Sequence, residues 1–364
     1  MTSPLLRRLR RFWLDVHLWL GVGLFVILAP LSLSGSILVW HDPLDRALHP
    51  ARYAASAGEL TPATLASAAQ AAFAGRAQPM QLRAPAAPGE PAVATARLPG
   101  PMGPGNRPRT LNAWIDPGSG RVLETGEVAR SFTMVLHRFH GSLMIPGLGR
   151  KIVGWLGWAL FMSSATGLWL WWPRHGSAAS GLRWRRGAST LFNLHHMVGF
   201  WTCAPLAALA LTGVFISFPQ TAHRALGLTP PPPRPPQAAL VETPRLTPGE
   251  AVNAAMALAP AARFTTLNWP QVKPKPSWRV ELKTTAGARA VEVDDATGAA
   301  RPAKATAPRA GIAAWMRGVH DGGGQGLAWR FVITLAGAAP TLLGVTGVVM
   351  WLRRRRRRRA IAPG

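Results

Sequence analysis

The sequence contains a single cysteine, Cys203, and this excludes several kinds of redox site. One cysteine cannot form an internal disulfide, a Cys-x-x-Cys relay or the two links of a covalently attached c-type haem. A GxGxxG or P-loop motif between a strand and a helix is also missing, so the sequence shows no nicotinamide or flavin site. The electron donor for any redox reaction is therefore left open.

Acidic residues are few as well, 15 against 41 basic ones, which gives a net charge of +26. Three short segments, 1–11, 174–190 and 353–359, hold 15 of the basic residues and no acidic residue. Short basic segments stay in the cytoplasm, whereas long segments cross the membrane largely regardless of charge. The charge pattern therefore predicts cytoplasmic termini and a membrane-lipid environment, and no nucleic-acid partner.

Charged residues make up only 15% of the chain, and hydrophobic residues 48%. Four apolar runs each reach the roughly 20 residues that a helix needs to cross a bilayer. The first run ends without a small-residue cleavage site, so we interpret it as a retained span rather than a signal peptide. We predict an α-helical integral membrane protein with transmembrane helices at 12–40, 151–173, 191–218 and 329–352, a cytoplasmic loop at 174–190 and a basic tail at 353–364.

Two long segments, 41–150 and 219–328, lie between these spans and follow the same plan. Thr61-Pro62 and Thr247-Pro248 each precede an alanine-rich stretch, which is typical of a helix start. Strands and a tight turn follow, at 116–120 in the first segment and at the matching position, 294–298, in the second. We predict two small α+β domains and a tandem duplication of span, outer domain and span.

The duplication singles out four of the ten histidines. His17 and His195 lie at the cytoplasmic ends of spans one and three and are 178 residues apart. The two turns, which begin at Asp116 and Asp294, are also 178 residues apart. His140 and His320 hold matching positions at the outer ends leading into spans two and four. Because both halves run in the same direction, a pseudo-two-fold axis along the membrane normal would place each histidine opposite its repeat mate.

Glycines accompany the cytoplasmic pair of histidines. Gly21 and Gly35 follow His17 by about one and five helical turns, so all three share one helix face. Gly199 and Gly213 repeat the pattern after His195. Such a face leaves room for the edge of a flat macrocycle, but it also permits close helix packing, and both interpretations stay open.

Two neutral imidazoles facing each other suit six-coordinate haem iron. Zinc would require four ligands, or three and a water, whereas each membrane face supplies two matched histidines. The spans also lack the mid-membrane carboxylates of a proton-driven transporter. The hypothesis is therefore two b-type haems, the inner one bound by His17 and His195 and the outer one by His140 and His320.

Other residues near these histidines have alternative interpretations. Arg10, Arg11 and Arg138 are candidates for binding haem propionates, but basic residues at an interface also set topology or anchor to lipid. His137 and His196 stay open as residues that replace or assist a predicted ligand.

Several motifs, taken in order, resemble the PepSY-associated transmembrane family over essentially the whole chain. They are residues 17–21 with Ser34-Gly35, residues 136–141, and the turn at 116–120. The second half departs from the first after its histidine, where residues 321–324 read Asp-Gly-Gly-Gly in place of the Gly-Ser-Leu-Met at 141–144. Members of the family are bacterial inner-membrane proteins linked to iron uptake, and some are ferrisiderophore reductases with b haems and periplasmic PepSY domains.

This resemblance implies that electrons pass through haem to a ferric siderophore or another Fe(III) chelate in the periplasm. The donor, a quinol or a cytoplasmic reductase, stays open. A rival hypothesis is a non-enzymatic regulator whose PepSY-like domains bind a peptide or restrain a protease. A third is a permease component for iron or haem, which the small number of spans disfavours.

Overall fold

The computed structural model describes residues 4–103, 108–173, 178–184, 187, 189–231, 238–303 and 311–361, so parts of the predicted cytoplasmic loop and tail lie outside the described residues. The helices are α1 (Pro4–Leu38), α2 (His41–Leu48), α3 (Pro62–Ala71), α4 (Phe132–Ser142), α5 (Gly149–Trp171), α6 (Ala178–Gly181), α7 (Thr190–Ser217), α8 (Pro219–Ala225), α9 (Pro248–Ala257), α10 (Ile312–Asp321) and α11 (Gly326–Ile361), with 3₁₀ turns at Pro50–Tyr53 and Val128–Arg130. The strands are β1 (Gln78–Arg83), β2 (Ala92–Arg97), β3 (Thr110–Ile115), β4 (Val122–Glu127), β5 (Arg263–Asn268), β6 (Ser277–Thr284), β7 (Gly287–Asp294) and β8 (Ala300–Pro302).

The chain divides into two compact units. The helical unit comprises residues 1–41, 136–232 and 309–364, and the sheet unit comprises residues 42–135 and 233–308. From the sequence, the residues of α4 and α10 are predicted to lie in the outer segments, at 41–150 and 219–328. In the structure most of α4 and all of α10 belong instead to the helical unit.

Four helices of the helical unit, α1, α5, α7 and α11, are long and apolar enough to cross a membrane. This confirms the four predicted spans. Both α1 and α11 extend past the apolar runs into arginine-rich sequence, because arginine is a good helix former and continues the helix. Helix α1 packs against α5 and α11, and α7 packs against the same two helices. Small residues permit close packing, as where Gly344 lies against the ring of Phe25.

The sheet unit contains one antiparallel sheet in the order β4-β3-β2-β1-β5-β6-β7-β8. The sequence predicts two separate α+β domains, whereas here four strands from each outer segment join through β1 and β5. Leu82 pairs with Leu267 at this junction, and both are fully buried. Helices α3 and α9 pack against each other and on the sheet. The two segments therefore share one core.

The predicted helix starts in the sheet unit are confirmed. Thr61 caps α3 by accepting a hydrogen bond from the backbone N–H of Thr64 at 3.2 Å. Thr247 caps α9 and forms a capping box with Glu250.

The sequence pattern does not predict four of the eight described strands, β1, β2, β5 and β8. Strand β2 is obscured because its buried positions are alanines, which are poor indicators of a strand.

The two predicted turns share one hydrogen bond and one backbone conformation. Gly120 donates to the Asp116 carbonyl at 2.8 Å, and Gly298 donates to the Asp294 carbonyl at 2.9 Å. Gly120 has φ +75° and Gly298 φ +72°, a left-handed conformation that glycine adopts without strain. Both turns are confirmed at the positions predicted from the sequence.

Asp116 ties the first turn to the chain before α3. Its carboxylate accepts hydrogen bonds from the hydroxyls of Ser56 and Ser119, both at 2.6 Å, and from the backbone N–H groups of Ser56 and Gly118. Burial opposes ionisation, but these hydrogen bonds outweigh it and lower the pKa of Asp116 from 3.8 to about 2. The folded state therefore binds this proton less tightly than the unfolded state does.

We expect Asp116→Asn to destabilise the sheet unit by about 2 kcal/mol at pH 7, because hydrogen bonds to a charged acceptor are lost. The stabilisation from a lowered pKa is complete above about pH 4 and is lost as the pH falls towards 2. Thermal melting of the full chain in detergent, followed by circular dichroism between pH 7 and 2, would show a gap between wild type and variant that closes with acid. Glu281→Gln, at an exposed carboxylate, is the control. A gap that does not depend on pH would contradict this account.

Candidate functional site

The four histidines matched by the repeat come together as two pairs within the helical unit. The ring centres of His17 and His195 are 6.3 Å apart, with the ring planes at 90°. The ring centres of His140 and His320 are 6.0 Å apart, with the planes at 43°. The four histidines come from four different helices: His17 from α1, His195 from α7, His140 from α4 and His320 from α10.

Each imidazole of the inner pair, His17 and His195, is hydrogen-bonded through Nδ1 to the next spanning helix along the chain. His17 Nδ1 lies 3.1 Å from the Ser163 carbonyl and 3.1 Å from the Thr166 hydroxyl, both on α5. His195 Nδ1 lies 2.9 Å from the Thr346 hydroxyl on α11. Thr166 and Thr346 occupy matching positions in the two halves, so the two contacts are repeat-related.

The outer pair shows the same arrangement with different helices. His140 Nδ1 lies 2.9 Å from the Leu31 carbonyl and 3.1 Å from the Ser34 hydroxyl, both on α1. His320 Nδ1 lies 3.0 Å from the Leu209 carbonyl and 3.0 Å from the Thr212 hydroxyl, both on α7. Helices α1 and α7 therefore each carry one inner histidine and also bind one outer histidine.

These contacts decide which ring nitrogen carries the proton. A backbone carbonyl can only accept a hydrogen bond, so the Nδ1 beside it must be the donor. The hydroxyl hydrogens are used elsewhere, since each donates to a carbonyl of its own helix; the donors are Ser34, Thr166, Thr212 and Thr346. Nδ1 is thus protonated in the neutral ring, and the lone pair lies on Nε2. A histidine that binds metal through Nε2 commonly has its other ring nitrogen held in this way.

Four glycines lie directly beside the four imidazoles. A Cβ atom at Gly35 would lie 2.6 Å from Cε1 of His140, and one at Gly213 would lie 3.1 Å from Cε1 of His320. Gly167 and Gly347 have the same relation to the inner histidines, with Cβ-to-Cε1 distances of 3.1 and 3.7 Å to His17 and His195. Gly35 and Gly213 therefore make room for an imidazole from another helix, which differs from the role beside a macrocycle that the sequence suggested.

Gly21 and Gly199 have open surroundings instead. A Cβ atom at Gly21 would meet no heavy atom of the described residues within 4 Å, and one at Gly199 would lie 3.8 Å from a methyl carbon of Leu343. These two positions therefore retain space on the helix face that carries the inner histidines. The sequence interpretation of a macrocycle edge fits them better than it fits Gly35 and Gly213.

The spacing of the pairs suits a single metal between two rings. Two imidazoles that hold one metal between them would have ring centres about 6 Å apart, from two metal–nitrogen bonds of about 2 Å and about 1 Å within each ring. The 6.3 and 6.0 Å separations agree with this value. Within the described part of the chain, no group of three or more histidine, cysteine or acidic side chains is placed to hold a metal ion. Each pair would supply two imidazole nitrogens to a haem iron, whose macrocycle would supply the remaining ligands.

The outer histidines, His140 and His320, are half-buried, and this burial affects their charge. Burial lowers the pKa of both His140 and His320 below the ordinary 6.5. Both rings are accordingly neutral at pH 7, which is the form that binds a metal. The histidine one turn earlier on α4, His137, also has its pKa lowered, first by burial and then by the charge of Arg317.

The neighbouring histidine on α7, His196, has a packing role. Its Nε2 lies 3.0 Å from the Gly181 carbonyl, and its ring stacks on Trp171 and on Phe192. Its Nε2 is therefore already hydrogen-bonded. Among the arginines considered for propionates, Arg10 donates to the Trp172 carbonyl at 3.4 Å, beyond the end of α5.

The turn after each outer histidine contains left-handed backbone in both halves. Leu143 and Met144 have φ of +50° and +60°, unusual values for residues other than glycine. In the second half, Gly322 and Gly324 take φ of +80° and +74°. Of these four residues, Met144 and Gly324 are the pair at matching repeat positions, so the two halves share one left-handed residue here, and the second half has a glycine at it, which adopts the conformation without strain.

Residues 14–354 match the family described as the PepSY-associated TM region. No curated protein matches the sequence. The match covers most of the chain and agrees with the four long apolar helices of the helical unit. The chain therefore belongs to the PepSY-associated TM region family and is a multi-pass membrane protein.

Proposed function

We propose that this protein is a di-haem oxidoreductase of the bacterial inner membrane that passes electrons to a ferric chelate in the periplasm. The observation that carries the proposal is the two pairs of half-buried histidines, each with ring centres about 6 Å apart and Nδ1 hydrogen-bonded, which leaves Nε2 available for iron. His17 and His195 would hold one haem b, and His140 and His320 the other.

The two sites are far enough apart to serve opposite faces of a membrane. His17 and Ser34, which contacts the outer His140, are both on α1. The stretch of helix between them rises about 26 Å at 1.5 Å per residue, and the hydrocarbon core of a bilayer is about 30 Å thick. A haem at each site would supply one-electron chemistry near each face, with the protein supplying the axial ligands and an apolar surrounding.

The repeated contacts support a tandem duplication as the origin of this arrangement. The hydroxyl and the glycine beside each histidine recur at repeat-related positions in both halves. The basic short segments favour cytoplasmic termini, and the sheet unit would then be periplasmic and PepSY-like. Arg138, two residues before His140 on α4, remains the candidate for a propionate partner.

The acceptor would be a ferric siderophore or a similar Fe(III) chelate. The two outer segments carry net charges of +4 and +6, which favours anionic chelates. Reduction to Fe(II) weakens the hold of a hard-oxygen chelator on the metal. Electrons would come from a quinol or from a cytoplasmic reductase.

The haem content of histidine variants tests the site assignment. We expect His17→Ala to remove the inner haem and His140→Ala the outer one, so each variant retains about half of the wild-type haem, because one axial ligand of one site is lost. A pyridine haemochrome assay on protein purified after haem-replete expression gives the ratio. His196→Ala, at a stacked neighbour, should keep both haems. Wild-type protein without reducible Soret and α bands would refute the proposal.

The glycine beside His140 offers a steric test of the outer site. We expect Gly35→Ala to weaken haem binding at that site by about tenfold, because a Cβ atom 2.6 Å from the imidazole forces the ring to move. Gly141→Ala is the matched control, since its Cβ atom would meet no described neighbour within 4 Å. Equal haem titrations for the two variants would show that the ring position is unimportant.

Transmembrane electron transfer tests the function itself. Wild-type protein in vesicles that contain a quinol should reduce an external Fe(III) chelate, detected with an Fe(II)-specific dye. Variants that lack either haem should not, because both sites are needed to cross the membrane. Absence of reduction by haem-loaded wild-type protein would favour the rival regulator that binds a peptide or restrains a protease.

A further inference from the structure

The most regular feature of the helical unit is a hydroxyl–glycine pair beside every matched histidine. The four pairs are Ser34-Gly35, Thr166-Gly167, Thr212-Gly213 and Thr346-Gly347. In each case the hydroxyl lies 2.9 to 3.1 Å from Nδ1 of a histidine on a different helix. The glycine that follows lies against Cε1 of the same ring.

In three of the pairs, the backbone carbonyl of the residue three positions before the hydroxyl residue also contacts the same Nδ1 atom. The carbonyls of Ser163, Leu31 and Leu209 lie 2.9 to 3.1 Å from the corresponding Nδ1 atoms. Residues three and four apart face the same way on a helix, so carbonyl, hydroxyl and glycine meet the ring together. The Nδ1–H group is thereby shared between two acceptors, while the glycine allows the ring to come close to the helix.

We propose that Ser34, Thr166, Thr212 and Thr346 are positioning residues that fix the rotation of the axial imidazoles and lower the reduction potentials of the haems. This inference rests on the proposed function and extends it to residues that do not themselves bind iron. Hydrogen bonds that draw on Nδ1–H make the imidazole a more basic ligand. A more basic axial ligand favours Fe(III) over Fe(II), and so lowers the potential.

A purely structural role for these hydroxyls would have a different consequence. Each also donates to a carbonyl of its own helix, as Ser and Thr in membrane helices commonly do. If that were their whole role, removing one would leave the haem spectrum and potential unchanged. Thr202 provides the comparison, because it donates in the same way to the Val198 carbonyl of its own helix.

The experiment uses full-length protein in two single-haem backgrounds, so that each signal belongs to one site. In His140→Ala protein, which retains the inner site, we expect Thr166→Val to raise the midpoint potential, alter the low-spin electron paramagnetic resonance spectrum and weaken haem binding by about tenfold. Thr166→Ser, which keeps the hydroxyl, should restore wild-type values. Thr202→Val should change none of them.

The outer site gives the reciprocal test. In His17→Ala protein, Ser34→Ala should raise the potential and change the spectrum of the outer haem, whereas Thr166→Val should leave both unaltered. A bound haem whose potential and spectrum are indifferent to Thr166→Val and Ser34→Ala would overturn this inference while leaving the proposed function intact. Wild-type protein that binds no haem would overturn both.

Discussion

The hydrogen bond at Nδ1 of each histidine is the constraint on which the helical unit depends. An imidazole inside an apolar helix bundle must find partners for its polar atoms, because an unpaired polar group there is costly. One ring nitrogen is satisfied by a neighbouring helix, as at His17 with Ser163 and Thr166. Because Nδ1 donates this hydrogen bond, the ring is the tautomer with its lone pair on Nε2. The same contact therefore packs the ring against the neighbouring helix and sets the direction of the Nε2 lone pair.

The same hydrogen bonds link the helices to one another in space. Helix α1 carries His17 and binds His140, and α7 carries His195 and binds His320. A change in the tilt of either helix would therefore disturb an inner histidine and an outer histidine together. The glycine at each contact permits the close approach on which the hydrogen bond depends, since a larger residue would push the ring away. The two histidine pairs are thus mechanically linked along the helices that separate them.

The sheet unit depends on a different pairing. Neither four-stranded half is complete on its own, because β1 or β5 would then be an unpaired edge strand that carries a leucine buried in the full sheet, Leu82 or Leu267. Joining them converts two edges into an interior and places α3 against α9 over a common core. Helix caps and turns in the sequence predicted the outline of each half, but they could not show that the halves share a sheet. Pairing between strands from opposite halves of the chain leaves no local pattern.

Local sequence patterns were informative wherever the determining contacts were local. Hydrophobic length predicted the four spans, and the cap at Thr61 and the turn at Asp116 were predictable because their partners lie within a few residues. From the sequence, Gly35 shares one helix face with His17, and this left two interpretations open, the edge of a macrocycle and a close helix contact. In the structure Gly35 lies against the ring of His140, which belongs to α4 and is separated from Gly35 by four strands in the chain. The Ser-Gly and Thr-Gly pairs were visible as repeats, yet their partner rings belong to other helices, so only the folded structure assigns each pair to its histidine.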